Sequence, residues 1–393
     1  MAIWKIIYME KFIKNKSENI ILISNIGSAS RKYCVYRVNK KEKTIKELFS
    51  INFDQKEFYP KVKLENALYE FFEIAKNKFN FTVSDIDIIA ERVVAVGEYF
   101  LENRIINENY LEKLEEVEKY NELHTKSLIN EIRQIFLIKE VCKNRKIKTK
   151  FKLIGISDTS FHASIPKEIY TYGLKTDSKN NFRKYGYHGI SMSEVVEALK
   201  GEYKNIIAVH LGGGGSVTAI KNGKSIYNSF GMTPVSGLIN LTRSGDIDPL
   251  VVLDILKSQK RPFRFLDNEN YIFNNTKSIL YEESGLFALT GERDMRDILT
   301  NLKVKDKKVK EKNEFALDIY MNKINECVGS AFAHLGNVEA LVMTGAILEN
   351  SEIFREKFLK KLSWLPVKKE DILIMKTEEE KEMARLVVEG KFV

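Results

Sequence analysis

The chain has 393 residues, and its 63 Lys and Arg against 54 Asp and Glu leave a net charge of +9. Hydrophobic residues make up 44% and charged residues 30%, an ordinary globular balance that excludes a fibrous or wholly disordered chain, and the length fits two domains. The basic excess is interleaved with acids, as in 303–312 and 378–385, which reads as solvated faces and not as a nucleic-acid surface.

The start, MAIWKIIYMEKFIKNK, has a brief apolar run but no small-residue cleavage site, so it reads as an extension and not a signal peptide. Asn19 to Val38 reads as strand, turn, strand. The turn carries Asn25, Gly27, Ser28, Ser30 and Lys32, where glycine permits a tight bend and hydroxyls with a lysine can cradle an anion. An ordinary hairpin accounts for this segment equally well. Leu64 to Phe79 and Asn109 to Val141 show helical spacing of Leu and Ile. Between them DIDIIAERVVAVGEYF reads as a buried strand containing Arg92, either a structural ion-pair residue or, if it faces a cleft, a functional one.

A strand FKLIGISD follows from Phe151 and ends in Asp158. Ligands of open α/β sheets gather at the carboxyl ends of strands, so Asp158 is a candidate acid, base or organiser, with a simple turn cap as the alternative. Eleven of the 21 Gly then fall between Tyr185 and Gly245, together with His188 and His210. Four consecutive glycines, Gly212, Gly213, Gly214 and Gly215, lie between two β runs and leave backbone N–H groups open to phosphate. No Lys-Ser or Lys-Thr follows them, and they lead into a strand, so this is neither a Walker loop nor a dinucleotide fingerprint. The tail repeats the theme: ALVMTGAILENS reads as strand, Gly turn and helix start, and ILIMKTEEEKEMARLVVEG as a last strand and helix. The two hairpins, each an apolar strand, a Gly/Ser turn and a second strand, read as an internal duplication. Three cysteines (Cys34, Cys142, Cys327) make no paired framework, no run approaches the ~18–20 apolar residues of a membrane span, and a cytoplasmic protein without membrane or nucleic-acid partners is expected.

Several separated motifs together resemble the acetate kinase family, within the actin, hexokinase and Hsp70 superfamily. They run from about Ile20 to Arg385: N-x-G-S-x-S-x-K at Asn25 to Lys32, R-V-V at Arg92, Leu123-His124, D-T-x-F-H from Asp158, Y-G-Y-H-G at Tyr185 to Gly189, H-L-G-x-G from His210. The T-P-x-x-G-L and T-R-S-G-D-I-D-P segments lie between Thr233 and Pro249, and D-M-R, Glu-Asn and Thr-Glu-Glu follow at Asp294, Glu349 and Thr377.

The resemblance implies an α/β chain of two duplicated actin/hexokinase-like (ribonuclease H-like) domains facing each other across a cleft. Residues 1–160 would form the acyl-substrate side, with 376–393 packing back on it, and 161–375 the nucleotide-binding side. It implies reversible phosphoryl transfer between ATP and acetate with Mg²⁺, giving ADP and acetyl phosphate, in a homodimer. Propionate or butyrate kinase, or a weakly active regulatory homologue, are the alternatives. Carried over by position, Asp158, His188, Arg243 and Arg92 are the catalytic set, and Arg92, Val94, Leu123, Tyr187 and Pro234 meet the substrate. Asn25 and Glu379 anchor Mg²⁺. Ser28, Ser30, Lys32, His210, Gly212, Gly213, Gly214 and Gly215 hold phosphates, while Asp294, Met295, Arg296, Gly345, Ala346, Glu349 and Asn350 hold the adenosine side. The departures are these: Gly213 replaces the usual Asn and Leu348 a Gly on the nucleotide side, Tyr187 replaces the pocket Phe, Met192 a His, and Glu91 and Ala95 replace two His flanking the arginine strand. Gly213 and Leu348 together predict a weaker hold on ATP or the use of a different phosphoryl donor, Leu348 by adding bulk beside the nucleotide.

Overall fold

A computed structural model describes residues 18–27, 30–39, 41–54, 64–175, 182–259, 268–390 and 392. The N-terminal extension and Ser28 lie outside these residues, and so does the side chain of Leu123. The chain divides into two compact units: Met1–Ala163 with Gly189–Glu194 and Glu378–Val393, and Ser164–His188 with Val195–Thr377.

The first unit is built on six strands: β1 (Glu18–Ile26), β2 (Ser30–Asn39), β3 (Thr44–Asp54), β4 (Ile88–Val93), β5 (Arg104–Ile105) and β6 (Lys152–Ser157). They lie in the order β3-β2-β1-β4-β6-β5. β1 is apolar on both faces because both are covered. Ile20 and Leu22 enter a core with Phe71, Leu128 and Ile132, residues of the helices Ala67–Phe79 and Glu122–Asn144. Ile21 and Ile23 point the other way and meet Met383, Ala384 and Val387 of the helix Glu379–Glu389.

The second unit repeats the plan with β7 (Asn205–Leu211), β8 (Gly215–Lys221), β9 (Lys224–Asn228), β10 (Ala340–Thr344) and β11 (Ile372–Ile374) in the order β11-β10-β7-β8-β9. In each unit a central strand has antiparallel hairpin partners on one side and parallel strands on the other: β1 with β2 and β4, β7 with β8 and β10. The duplication expected from the two hairpins is therefore present in topology and strand direction. Ile207, Val209 and Leu211 pack with Leu317, Tyr320, Ile324 and Val328 of the long helix Lys307–Leu335.

One expected element is corrected. The helical run Asn109 to Val141 is two helices, Glu108–Val117 and Glu122–Asn144, parted by a short 3₁₀ turn. Asn121 at the break is buried and its Nδ2 donates to the Val94 carbonyl at 2.9 Å. That tertiary bond carries no periodic signal in the sequence.

Candidate active site

In the first unit, four elements deliver polar side chains to one cluster. Asn25 ends β1, Arg92 lies on β4, Asp158 directly follows β6, and Glu379 and Glu380 open the C-terminal helix. This is the carboxyl end of the parallel strands, where such sheets bind ligands. Arg92 Nη1 donates to Glu379 Oε2 at 2.7 Å and Asn25 Oδ1 at 3.2 Å, and Nη2 pairs with Asp158 Oδ2 at 3.3 Å. Asn25 Nδ2 donates to Glu380 Oε1 at 2.7 Å, and Lys32 Nζ pairs with Glu380 Oε2 at 2.7 Å. Lys32, expected among the phosphate ligands, is thus held by Glu380. Asp158 is 1% exposed. Its carbonyl accepts from Gly189 N–H at 2.9 Å, and a Cβ on Gly189 would stand 2.3 Å from that oxygen, so only glycine fits there.

Burial works to lower the Arg92 pKa, but Asp158 and Glu379 outweigh it and hold the guanidinium more firmly charged than usual. Burial raises the Glu379 pKa against the pull of Arg92, and repulsion from Asp158 and Glu380 adds to it. Three carboxylates (Asp158, Glu379, Glu380) here face two cations, Arg92 and Lys32. A divalent cation would relieve that excess, and the oxygens of Asn25 and Glu379 are of the hard kind that Mg²⁺ takes. No group of three or more His, Cys, Asp or Glu among the described residues is arranged as a metal cage. Mg²⁺ in kinases draws most of its ligands from water and phosphate, so two protein donors suit it.

Behind this cluster lies a pairing of acids that the sequence did not reveal. Glu91, on the opposite face of β4 from Arg92, is fully enclosed beside Glu131, which accepts from Ser24 Oγ at 2.6 Å and Tyr33 Oη at 2.9 Å. Burial, then the Glu131 charge, pushes the Glu91 carboxyl well above its ordinary range. An unfolded Glu titrates near ~4.3. The folded state therefore binds the proton more tightly, and the stability this contributes is full in acid and is lost as pH rises toward the folded-state pKa. Glu91→Gln is expected to raise the melting temperature, by more at pH 8 than at pH 5. A gain independent of pH would rule out a buried titrating acid.

The second unit carries the other constellation. Gly212, Gly213 and Gly214 form the turn between β7 and β8, closed by Gly212 N–H to Gly214 O at 2.7 Å. A Cβ on Gly213 would meet nothing within 4 Å, whereas one on Gly214 would stand 3.4 Å from His188 Nε2 and 3.6 Å from Arg243 Nη1. His188 sits at φ 61°, an uncommon left-handed conformation for a residue with a Cβ. Its Nδ1 is 3.0 Å from Ser216 Oγ, and its ring stacks on His210 at 4.2 Å. Arg243 Nη1 donates to the Pro234 carbonyl at 3.3 Å. Burial lowers the Arg243 pKa, and among the described residues no carboxylate pairs with it.

The adenosine-side residues are placed differently from one another. Asp294 caps the helix Met295–Asn301 and binds its neighbour Arg296, whose side chain is 83% exposed, while Met295 is buried in the core. Glu349 Oε1 accepts from Gly345 N at 2.9 Å and from Thr377 N at 2.9 Å, tying the turn after β10 to the end of the unit. Asn350 Nδ2 donates to Ala346 O at 2.8 Å within its helix. Leu348 is a correction: it is fully buried and packs in the core of the unit, so it adds no bulk at the turn surface. Residues missed in the sequence are Glu131, Tyr172 and Ser216, while Glu91 was visible there only as a departure from the family pattern.

Comparison with known proteins places the chain in a family. Residues 20–387 match the Acetokinase family. An acetate kinase of Mycoplasma genitalium is 34% identical over 368 residues, covering 88% of this chain and 86% of that protein. An acetate kinase of Sulfurimonas denitrificans is 32% identical, over 86% of this chain and 80% of its own. A crystal structure of a propionate kinase from Francisella tularensis superposes with a TM-score of 0.75 at 26% identity, covering 93% of this chain and 98% of that one. With a family match over residues 20–387, relatives above 30% identity and two α/β units of repeated topology, the chain belongs to the acetokinase family of phosphotransferases and has its actin/hexokinase-like (ribonuclease H-like) fold.

Proposed function

We propose that the chain is an acetate kinase: an acetate carboxylate oxygen attacks the γ-phosphorus of ATP, the bond to the bridging β,γ oxygen breaks, and acetyl phosphate and ADP form, reversibly. The observation that carries this reading is Arg243. It is a half-buried, partly desolvated guanidinium with no carboxylate partner among the described residues, beside His188 and an open glycine turn. A desolvated cation of this kind is favourable when an anion completes it.

Phosphoryl transfer asks for positioning and charge stabilisation more than covalent chemistry. Arg243 and Arg92 present planar forks to the carboxylate and to the equatorial oxygens in flight. Ser216 fixes the His188 ring through Nδ1, and His188 serves as a hydrogen-bond donor to those oxygens. Asp158 keeps Arg92 in place and orients the attacking oxygen. Asn25 and Glu379 would hold Mg²⁺, which when bound neutralises phosphate charge. Val94, Leu123, Tyr187 and Pro234 are assigned to the acetate methyl, and Ser28, Ser30, His210 and the turn Gly212 to Gly215 to the nucleotide phosphates. Asp294, Met295, Arg296, Gly345, Ala346, Glu349 and Asn350 are assigned to the adenosine end, chiefly through backbone, since several of their side chains are engaged within the unit. Formation of acyl hydroxamate from acetate, ATP and Mg²⁺ tests this, with propionate and butyrate in parallel. Acetate is expected to turn over fastest, and no acyl phosphate from any acid would overturn the reading.

The protein is further proposed to be cytoplasmic and homodimeric. No helix among the described residues is long and apolar enough to cross a membrane. The helix Pro249–Ser258 buries none of its residues and exposes Leu250 (72%) and Leu253 (50%), a surface suited to a second copy. Light scattering is expected to give twice the 45.4 kDa chain mass, and Leu250→Glu to shift it toward the monomer.

A further inference from the structure

Arg243 makes its hydrogen bond to a carbonyl of the Met232–Pro234 loop, so the guanidinium is placed only as well as that loop is placed. Two phenols hold Met232 from opposite ends of its backbone. Tyr172 Oη accepts from the Met232 N–H at 3.0 Å, and Tyr187 Oη donates to the Met232 carbonyl at 2.7 Å. Tyr187 is 2% exposed and set edge-on to Phe230 at 5.3 Å. Tyr172 lies so close that a Cβ on Gly231 would stand 2.3 Å from its hydroxyl. Ser236 completes the loop, accepting from Gly231 N–H at 2.6 Å and donating to the Thr233 carbonyl at 3.0 Å. The resemblance leads one to expect Phe where Tyr187 stands, so one of the two tethers is an addition of this chain.

We propose that Tyr172 and Tyr187 are positioning residues for Arg243, clamping Met232 so that the Pro234 carbonyl holds the guanidinium where the transferring phosphoryl group needs it. This rests on the acetate kinase reading for the identity of the reaction but not for the clamp itself. Both phenols act as neutral groups, and burial of Tyr172 favours that form. Neither touches the phosphoryl group in this assignment; they act through the loop.

The test uses Tyr172→Phe and Tyr187→Phe, which keep the rings and remove only the hydroxyls. One neutral hydrogen bond corresponds to roughly twofold to tenfold. Each variant is expected to lower kcat by about that factor, with KM for acetate and the melting temperature nearly unchanged. In an Arg243→Ala background the same two substitutions are expected to have no further effect on kcat, because their route to the reaction is gone. Equal losses in both backgrounds, or no loss in either, would overturn the proposal. Hydrogen–deuterium exchange across residues 230–236 gives a readout independent of the reaction. Faster exchange at Met232 is expected in each Phe variant, and unchanged protection also overturns the clamp. A wild-type protein that makes no acetyl phosphate strikes the acetate kinase reading alone and leaves exchange to decide the clamp.

Discussion

Arg243→Ala lowers kcat for acetyl phosphate formation by about 10²–10³, while the melting temperature moves little. A single preorganised contact to charge developing in a transition state is worth that much. The small stability change follows from the same geometry. Arg243 contributes one long hydrogen bond to Pro234 and carries a desolvation cost that no carboxylate among the described residues offsets. Removing it takes away little that favours the fold. Steady-state kinetics beside thermal melts settle the matter. A variant that unfolds early yet turns over normally when folded would make Arg243 a structural cation and end its assignment to the reaction.

Asp158→Asn is the second large effect, again on the order of 10²–10³ in kcat, with KM for acetate changed no more than a few-fold. The substitution keeps the shape at the end of β6 and the backbone bond to Gly189, and removes only the charge. Arg92 then keeps Glu379 as its remaining ionic partner, while the negative charge beside the attacking oxygen is gone. Taking one partner from a buried pair also destabilises, so a drop in melting temperature is expected here and not for Arg243→Ala. Full activity in the Asn variant would show that Asp158 serves the turn and nothing else.

The contrast between the two arginines explains what was legible in the sequence. Hairpins were readable because apolar β runs on either side of a glycine turn have few other solutions; the carboxyl end of a later strand pointed to Asp158, while Arg92 took its role only from the family resemblance. The third strands, β3 and β9, were not read. β9 is a five-residue edge strand, KSIYN, too short and polar to show a period. The break at Asn121 depends on a carbonyl 27 residues earlier in the chain. Leu348 was misread because its direction is set by the left-handed Gly345 (φ 86°) that starts its helix, and motif position says nothing of that. Tyr172 was invisible for a similar reason. A tyrosine in a polar stretch gains meaning only through the backbone group it meets.

The helix Glu379–Glu389 has a bearing on how the protein is made. It supplies Met383, Ala384 and Val387 to a core whose other side is laid down by Ile21, Ile23 and Cys34. The ribosome therefore finishes the first sheet, at Ser157, more than 200 residues before it delivers the helix that covers one face of that sheet. At ~5–20 residues per second the wait is roughly 10–45 s. Through that interval the nascent sheet carries an uncovered apolar face and lacks Glu379, which makes the shorter of Arg92's two ion pairs. Completion of the first unit thus waits on the helix Glu379–Glu389, and a chain stalled before it holds neither a closed first core nor the Asn25–Arg92–Glu379 cluster. Chaperones that bind exposed apolar strands have their natural target on this protein in that window.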